Sequence, residues 1–503
     1  MLNEFVHGPG YVHVSNRTVD LALQLLPKLF ALCPKPARKS TRAPLPAAGE
    51  GLGHGMRGSH GVPLKILSDP DRVLTRLDNF IAAYGARATL FETWTRTPSI
   101  FELLLLLFDR SEFLAEAAIH TPDLVDELVL SGRLRQRKTA QKTLNDLRHG
   151  NNDADQRLWL RQYHQVELMR IGLRDILGLA DFEQNLAELS GLAEACLQYA
   201  LEVVLRKNKI KTQPLAVIGL GKLGGKELNY GSDLDVIFVT DAKTKDLPRL
   251  HRLAVEIMDL LGARTEQGIV FPVDARLRPD GEKGLLVNTL AAHEEYYRHR
   301  AGLWEIQALS RARAVAGNHE VGREFESFAQ MLANVTPENV AAGFNTRPSE
   351  GGKGRQRGSK SAPRQTGLAA YAPDWKMQIH KMRERIEKER TTPGRDALAI
   401  KTGSGGLMDA EFAAQTLCLA HGWHEPNTLC ALQRARDAKV LPLTDANELI
   451  ESYRQLRHVE GILRRWSFEG ETALPAEDAP FYRVSIRCGF STPKEFRLAL
   501  RKL

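Results

Sequence analysis

The stretch Pro214–Asp241, PLAVIGLGKLGGKELNYGSDLDVIFVTD, constrains this chain more than any other part of it. It holds two short apolar runs, LAVIGL and DLDVIFVTD, each rich in Val, Ile, Phe or Leu and bounded by Pro, Gly or Asp, which is the pattern of β-strands. The segment between Gly224 and Asp233 leaves little room for a crossover helix, so a doubly wound parallel sheet is disfavoured. A third run, GIVFPVDARLRP (268–279), reads as another strand, and the helical periodicity of HRLAVEIMDLLGA lies between the second and the third. Residues 206–330 are therefore expected to form a compact α/β unit around a mixed sheet.

The rest of the chain is helical in pattern. LTRLDNFIAAYGARATLFETW, FELLLLLFDRSEFLAEAAI and LAELSGLAEACLQYALEVVLRK repeat apolar residues at three and four, giving a helical bundle over 63–205. Residues 1–35 contain one short amphipathic helix, Val19 to Leu32. Residues 36–62 are Arg, Pro, Gly and Ala without periodicity, a low-complexity linker. A second linker, 331–370, carries the basic tract SEGGKGRQRGSKSAPRQTG (349–367), and both tracts are expected to be poorly ordered. Helical sequence resumes and fills 371–503. The expected fold is mostly α with an embedded α/β domain flanked by helical bundles.

Composition narrows the function classes. A net charge of +8 is mild for 503 residues; it suits an acidic partner or a polyphosphate and does not call for nucleic acid. The five cysteines are scattered with no CxxC pair, which argues against a disulfide framework or a zinc site and for a reducing compartment. The first residues lack a basic region followed by an apolar one, and FELLLLLF is too short to span a bilayer. A cytoplasmic protein with no membrane partner is the expectation.

Two readings compete at the site. Gly219-x-Gly221-x-x-Gly224 after a strand fits a dinucleotide-binding turn, with Asp241 as the ribose ligand. That reading gives no reason for two aspartates opening the next strand. The second reading uses them: residues i and i+2 of a strand share a face, so Asp233 and Asp235 project side by side and repel unless a cation lies between them. Hard carboxylate oxygens suit Mg²⁺, which keeps substrate phosphates in its shell. Asp274, on the third strand, would complete a catalytic triad able to hold two ions. Gly219, Gly221 and Gly224 would let the backbone approach phosphates at a helix N-terminus, with Lys222 and Ser232 as phosphate contacts. Arg276, on the strand face of Asp274, and Arg278 would meet a triphosphate such as ATP. A lone DxD or a lone GxGxxG is usually a surface turn; their succession, followed by a third Asp, is far more specific. The segment 401–415 carries Gly403, Gly405 and Gly406 ahead of Asp409 and Glu411. It reads first as helix capping and second as a way to bring Lys401 or Glu411 against a nucleotide.

The glycine turn, DxD and distant Asp resemble the polymerase-β-like nucleotidyltransferase superfamily. The longer strings GLGKLGGKELNYGSDLDVIFV, VDARLRPDGEKGLLV (273–287), WEIQALSRARAVAG (304–317) and KTGSGGLMDAEFAAQ (401–415) resemble the glutamine synthetase adenylyltransferase/deadenylylase family. The resemblance implies a nucleotidyltransferase domain at 206–330, metal binding by Asp233, Asp235 and Asp274, and ATP as substrate. It implies glutamine synthetase as protein partner, with a PII-type nitrogen-signalling protein as a further one. Family members have two nucleotidyltransferase halves, one attaching AMP to a tyrosine and one removing it by phosphorolysis. This sequence has one DxD site. Residues 1–35 look like the remnant of a preceding helical region, and the helices at 69–130 resemble those leading into the second, adenylylating half.

Overall fold

The computed structural model describes residues 2–8, 14–34, 65–244, 246–336, 373–470 and 473–503. The two low-complexity tracts, 36–62 and 349–367, fall outside the described residues. Helices dominate, with one small mixed sheet embedded among them.

Local chemistry sets the helix ends in the first bundle. The Asp69 side chain accepts the Arg72 N–H, Pro70 takes the first helical position, and Gly85 closes Pro70–Tyr84 in the left-handed region at φ 79°. The leucine run lies in the helix Pro98–Arg110 and is buried on nearly every side against Phe80, Phe91 and Trp94. A helix apolar all round belongs inside a core, and no described helix is long and apolar enough to cross a membrane. All five cysteines are free thiols.

Among the described residues the sheet has five strands: β1 (Ala216–Gly219), β2 (Leu234–Thr240), β3 (Val273–Asp274), β4 (Val287–Thr289) and β5 (Arg313–Gly317). β1 lies between β2 and β5 and is antiparallel to both. On its other edge β2 pairs in parallel with β3 at its start and with β4 at its end. No helix separates Gly225 from β2, as the short connection requires. The two faces of β1 and β2 alternate between two cores. Val217, Val236 and Phe238 pack with the helices Phe182–Lys207 and Leu247–Gly262. Ala216, Ile218, Ile237 and Val239 pack with Phe325 and Phe328 of His319–Leu332, and with Trp375, Ile379 and Leu419 from the C-terminal part.

The structure corrects the sequence reading in two places. The third strand does not run through GIVFPVDARLRP; it is only Val273–Asp274, because Pro272 and Pro279 have no N–H to donate to a ladder and the chain turns away after Asp274. And the boundary drawn between 205 and 206 runs through one continuous core. The helix Phe182–Lys207 buries Ala193, Cys196, Leu197, Ala200 and Val204 in the same cluster as Val217 and Phe238.

Candidate metal centre

β1 ends at Gly219 and leads through the one-turn helix Gly221–Gly224 and a loop into β2. The start of β2 is held from both sides: Leu220 N–H donates to the Asp235 carbonyl and Leu234 N–H to the Pro272 carbonyl. In the parallel pairing Asp235 stands directly opposite Asp274. Asp233, two residues earlier on the same face, completes the group. Oxygens of the three carboxylates lie within 4.8 Å of one another.

Asp233 is exposed, whereas Asp235 and Asp274 are partly buried. Burial, then the charges of Asp233 and Asp274, push the Asp235 carboxyl up to about 6; Arg311 and Lys222 oppose the shift. Asp274 is held below the usual carboxylate range, chiefly by the Arg276 guanidinium. The Arg276 Nε lies 3.0 Å and 2.9 Å from the two Asp274 oxygens, and the arginine is otherwise exposed. Three convergent carboxylates, one destabilised by its neighbours, fit a hard divalent cation, and Asp233, Asp235 and Asp274 are the residues that would hold it.

The other site residues read from sequence separate into distinct roles. Gly221 faces the acids: a Cβ built on it would stand 2.4 Å from Asp235 Oδ2, and its φ of 49° is left-handed. Gly219 and Gly224 do not face them. The first is packed against Leu223 and Val315, the second against the Arg311 carbonyl, so close packing requires small residues there. Ser232 is buried, and its Oγ accepts the Asn229 N–H at 3.1 Å, which leaves the hydroxyl proton to donate. Lys222 points its Nζ at Glu460, 2.9 Å away. Arg276 is off the strand and folded back on Asp274 because β3 stops there. Arg278 donates to the carbonyls of Ala275, Glu282 and Gly284 at 2.8, 3.0 and 3.2 Å and fixes the loop after β3.

Downstream, Asp409, in the first turn of the helix Leu407–His421, accepts the Gly405 N–H at 2.7 Å and pairs with Arg383. Glu411 and Lys401 both act electrostatically on Lys222, which places them on the Lys222 side of the centre. Sequence reasoning missed Glu227, Arg311, Arg457 and Glu460, which form buried ion pairs behind the glycine turn. Glu227 pairs with Arg311 across 84 residues of chain and Glu460 with Lys222 across 238, so these pairings leave no local signal.

Two family models match. Residues 101–328 match the one described as glutamate-ammonia ligase adenylyltransferase, and residues 374–502 match one described as GlnD PII-uridylyltransferase. Curated relatives named bifunctional glutamine synthetase adenylyltransferase/adenylyl-removing enzyme are similar over most of the chain. The one from Streptomyces coelicolor is 32% identical over 445 residues, covering 84% of this chain and 40% of the relative. That of Thioalkalivibrio sulfidiphilus is 29% identical over 455 residues, 83% of this chain and 43% of the relative. That of Chromobacterium violaceum is 31% identical over 422 residues, 80% and 43%. The chain thus spans about two fifths of the length of these relatives. Residues 101–328, which match the glutamate-ammonia ligase adenylyltransferase family, carry the three aspartates.

Proposed function

We propose that this chain transfers AMP from ATP to a tyrosine hydroxyl of glutamine synthetase, with Mg²⁺ held by Asp233, Asp235 and Asp274 in a polymerase-β-like nucleotidyltransferase fold. The observation that carries the reading is the convergence of the three carboxylates within 4.8 Å beside the Gly221 turn. When bound, Mg²⁺, as one ion or two, would neutralise the phosphates and polarise the α-phosphorus. The residues of the chain do the positioning that dominates such reactions. The tyrosyl oxygen bonds to the α-phosphorus, the bond to the β-phosphate oxygen breaks, pyrophosphate leaves with the electron pair, and the hydroxyl proton is released. In this reading the Ser232 hydroxyl, the Lys222 ammonium and the Arg276 guanidinium are the donors that would meet the triphosphate.

The test presents the full chain with unmodified glutamine synthetase and ATP labelled in its α-phosphate, and separately with AMP-modified synthetase and phosphate. Labelled synthetase in the first and no ADP in the second is the expected result. ADP in the second alone would assign the phosphorolytic direction, and no reaction in either would remove the reading.

Arg276 has a further consequence. It bonds both oxygens of Asp274 and so competes with a metal for that carboxylate. Arg276→Gln should tighten Mg²⁺ binding in calorimetric titration of the nucleotide-free chain while slowing AMP transfer. Weaker Mg²⁺ binding by the variant would mean that Arg276 supports the ligand instead of competing for it.

A further inference from the structure

The loop between β1 and β2 sets where Asp233 and Asp235 stand, and the C-terminal helices grip it along its length. Asn427 donates to the Gly225 carbonyl at 3.0 Å, and the Thr428 N–H to the Glu227 carboxylate at 2.6 Å. Arg457 donates to the Glu227 carbonyl at 2.7 Å and Arg464 to the Tyr230 carbonyl at 3.2 Å. A Cβ on Gly231 would stand 2.0 Å from the Phe468 carbonyl oxygen. Arg457, Glu460 and Arg464 all belong to the helix Leu443–Ser467.

At the centre of this grip is Glu460, fully buried, which takes ion pairs from Arg457, Arg464 and Lys222. The two arginines are its neighbours one turn away on the same helix, and each also bonds a loop carbonyl. Lys222 differs. It comes from the one-turn helix beside Asp235, and Glu460 is the sole hydrogen-bond partner of its ammonium among the described residues. An ammonium has three donors, so two remain for another acceptor. The remaining basic groups of the cluster are committed: Arg311 to Glu227 and the Pro426 carbonyl, and both arginines of the helix as above.

We infer that Glu460 is a positioning residue for nucleotide transfer: through its ion pair it holds the Lys222 ammonium charged and aimed beside the carboxylate cluster, so that the C-terminal helical segment completes the site. This rests on the nucleotidyltransferase reading above. The charge on Lys222 is not secure without help. Burial pulls the ammonium down to about 8, against the pull of Glu460 upward; Arg457 and Lys401 lower it further, and Glu411 raises it. The Lys222 charge in turn acts to lower the Asp235 carboxyl. Removing the Glu460 charge therefore deprotonates Lys222 at a lower pH, while leaving the three aspartates in place.

The experiment combines a double-mutant cycle with a direct reading of the lysine, using the full chain. AMP transfer to glutamine synthetase is followed against pH for wild type, Glu460→Gln, Lys222→Gln and the double variant. The reaction of Lys222 with an amine reagent is followed against pH by mass spectrometry, with and without ATP and Mg²⁺. Glu460→Gln should lower kcat on the order of tenfold and move the alkaline limb of the profile to lower pH. It should have almost no further effect once Lys222 is Gln, because both changes remove one interaction. ATP with Mg²⁺ should protect Lys222 from the reagent. An undiminished loss from Glu460→Gln in the Lys222→Gln background would overturn the inference, since a packing role would act in both backgrounds. So would a Lys222 reactivity curve identical in wild type and Glu460→Gln. A chain that modifies no synthetase but whose Lys222 curve moves with Glu460→Gln and is protected by ATP would uphold the positioning and overturn only the choice of acceptor. If Glu460→Gln does not fold, Glu460→Asp takes its place. Its shorter arm draws the carboxylate back from Lys222 while keeping the negative charge, and it should move the limb the same way by less.

Discussion

Asp235→Asn should abolish AMP transfer and at the same time stabilise the metal-free protein. The loss of activity, on the order of a thousandfold or more, follows from removing one of the carboxylates that hold charge against the reacting phosphate. The gain in stability follows from the electrostatics. Asp235 is raised from 3.8 to about 6 by burial and by Asp233 and Asp274. A carboxyl whose folded pKa lies above its unfolded one favours the fold while protonated. That contribution is complete below pH 4 and is lost as pH rises through 6. At about 1.4 kcal/mol per pKa unit, the ionised Asp235 costs the metal-free protein at most about 3 kcal/mol at neutral pH. Asn keeps the shape without the charge. Urea unfolding in EDTA should show the variant more stable than wild type at pH 7.5 and the two converging at pH 4. Adding Mg²⁺ should raise wild type and leave the variant nearly unmoved. Equal stability of the two at pH 7.5 without metal would mean that the carboxylates do not strain one another.

The acids were legible in the sequence because their arrangement depends on the shortest-range rule available, the alternation of a strand. Asp233 and Asp235 share a face by that rule alone, and the parallel register then sets Asp274 opposite Asp235. What failed was whatever depended on where a pattern stops. The apolar alternation of Val273, Ala275 and Leu277 continues past the strand, so the sequence pattern puts Arg276 and Arg278 on a ladder that ends at Asp274. Strands as short as Val287–Thr289 carry too few residues for alternation to be seen. The helix Phe182–Lys207 reads as the last of a bundle because its apolar face is wide; only the fold shows that this face covers the sheet. The ion pairs of Glu227 with Arg311 and of Lys222 with Glu460 are invisible for a different reason. Each partner by itself is an ordinary charged residue on a polar-looking stretch, and its burial is created by the docking of helices far away in the chain.

The glycine turn offers the sharpest separation between shape and chemistry. Gly224→Ala places a methyl 1.8 Å from the Arg311 carbonyl oxygen and 2.8 Å from that of Gly219. Both are backbone atoms of paired strands or their flanks, so no side chain can rotate away, and the turn has to move off β5. Overpacking of this kind costs about 3 kcal/mol or more. Gly221→Ala meets a different obstacle. Its Cβ would lie 2.4 Å from Asp235 Oδ2, the end of a side chain that can turn, and the left-handed backbone adds about 1 kcal/mol for an L-residue. The fold should survive with a stability loss of about 1–2 kcal/mol. The carboxylate, however, has to leave the position from which it meets Asp233 and Asp274, and displacement of a catalytic group by about 1 Å costs on the order of a hundredfold in rate. Thermal unfolding and AMP transfer measured on both variants should therefore rank them oppositely. Gly224→Ala should be the less stable, and any fraction that folds should retain activity. Gly221→Ala should be folded and nearly inactive, with weakened Mg²⁺ binding. Wild-type transfer by Gly221→Ala would mean that Asp235 works from a different rotamer than the one facing the turn, and the carboxylate cluster would then have to be redrawn around Asp233 and Asp274.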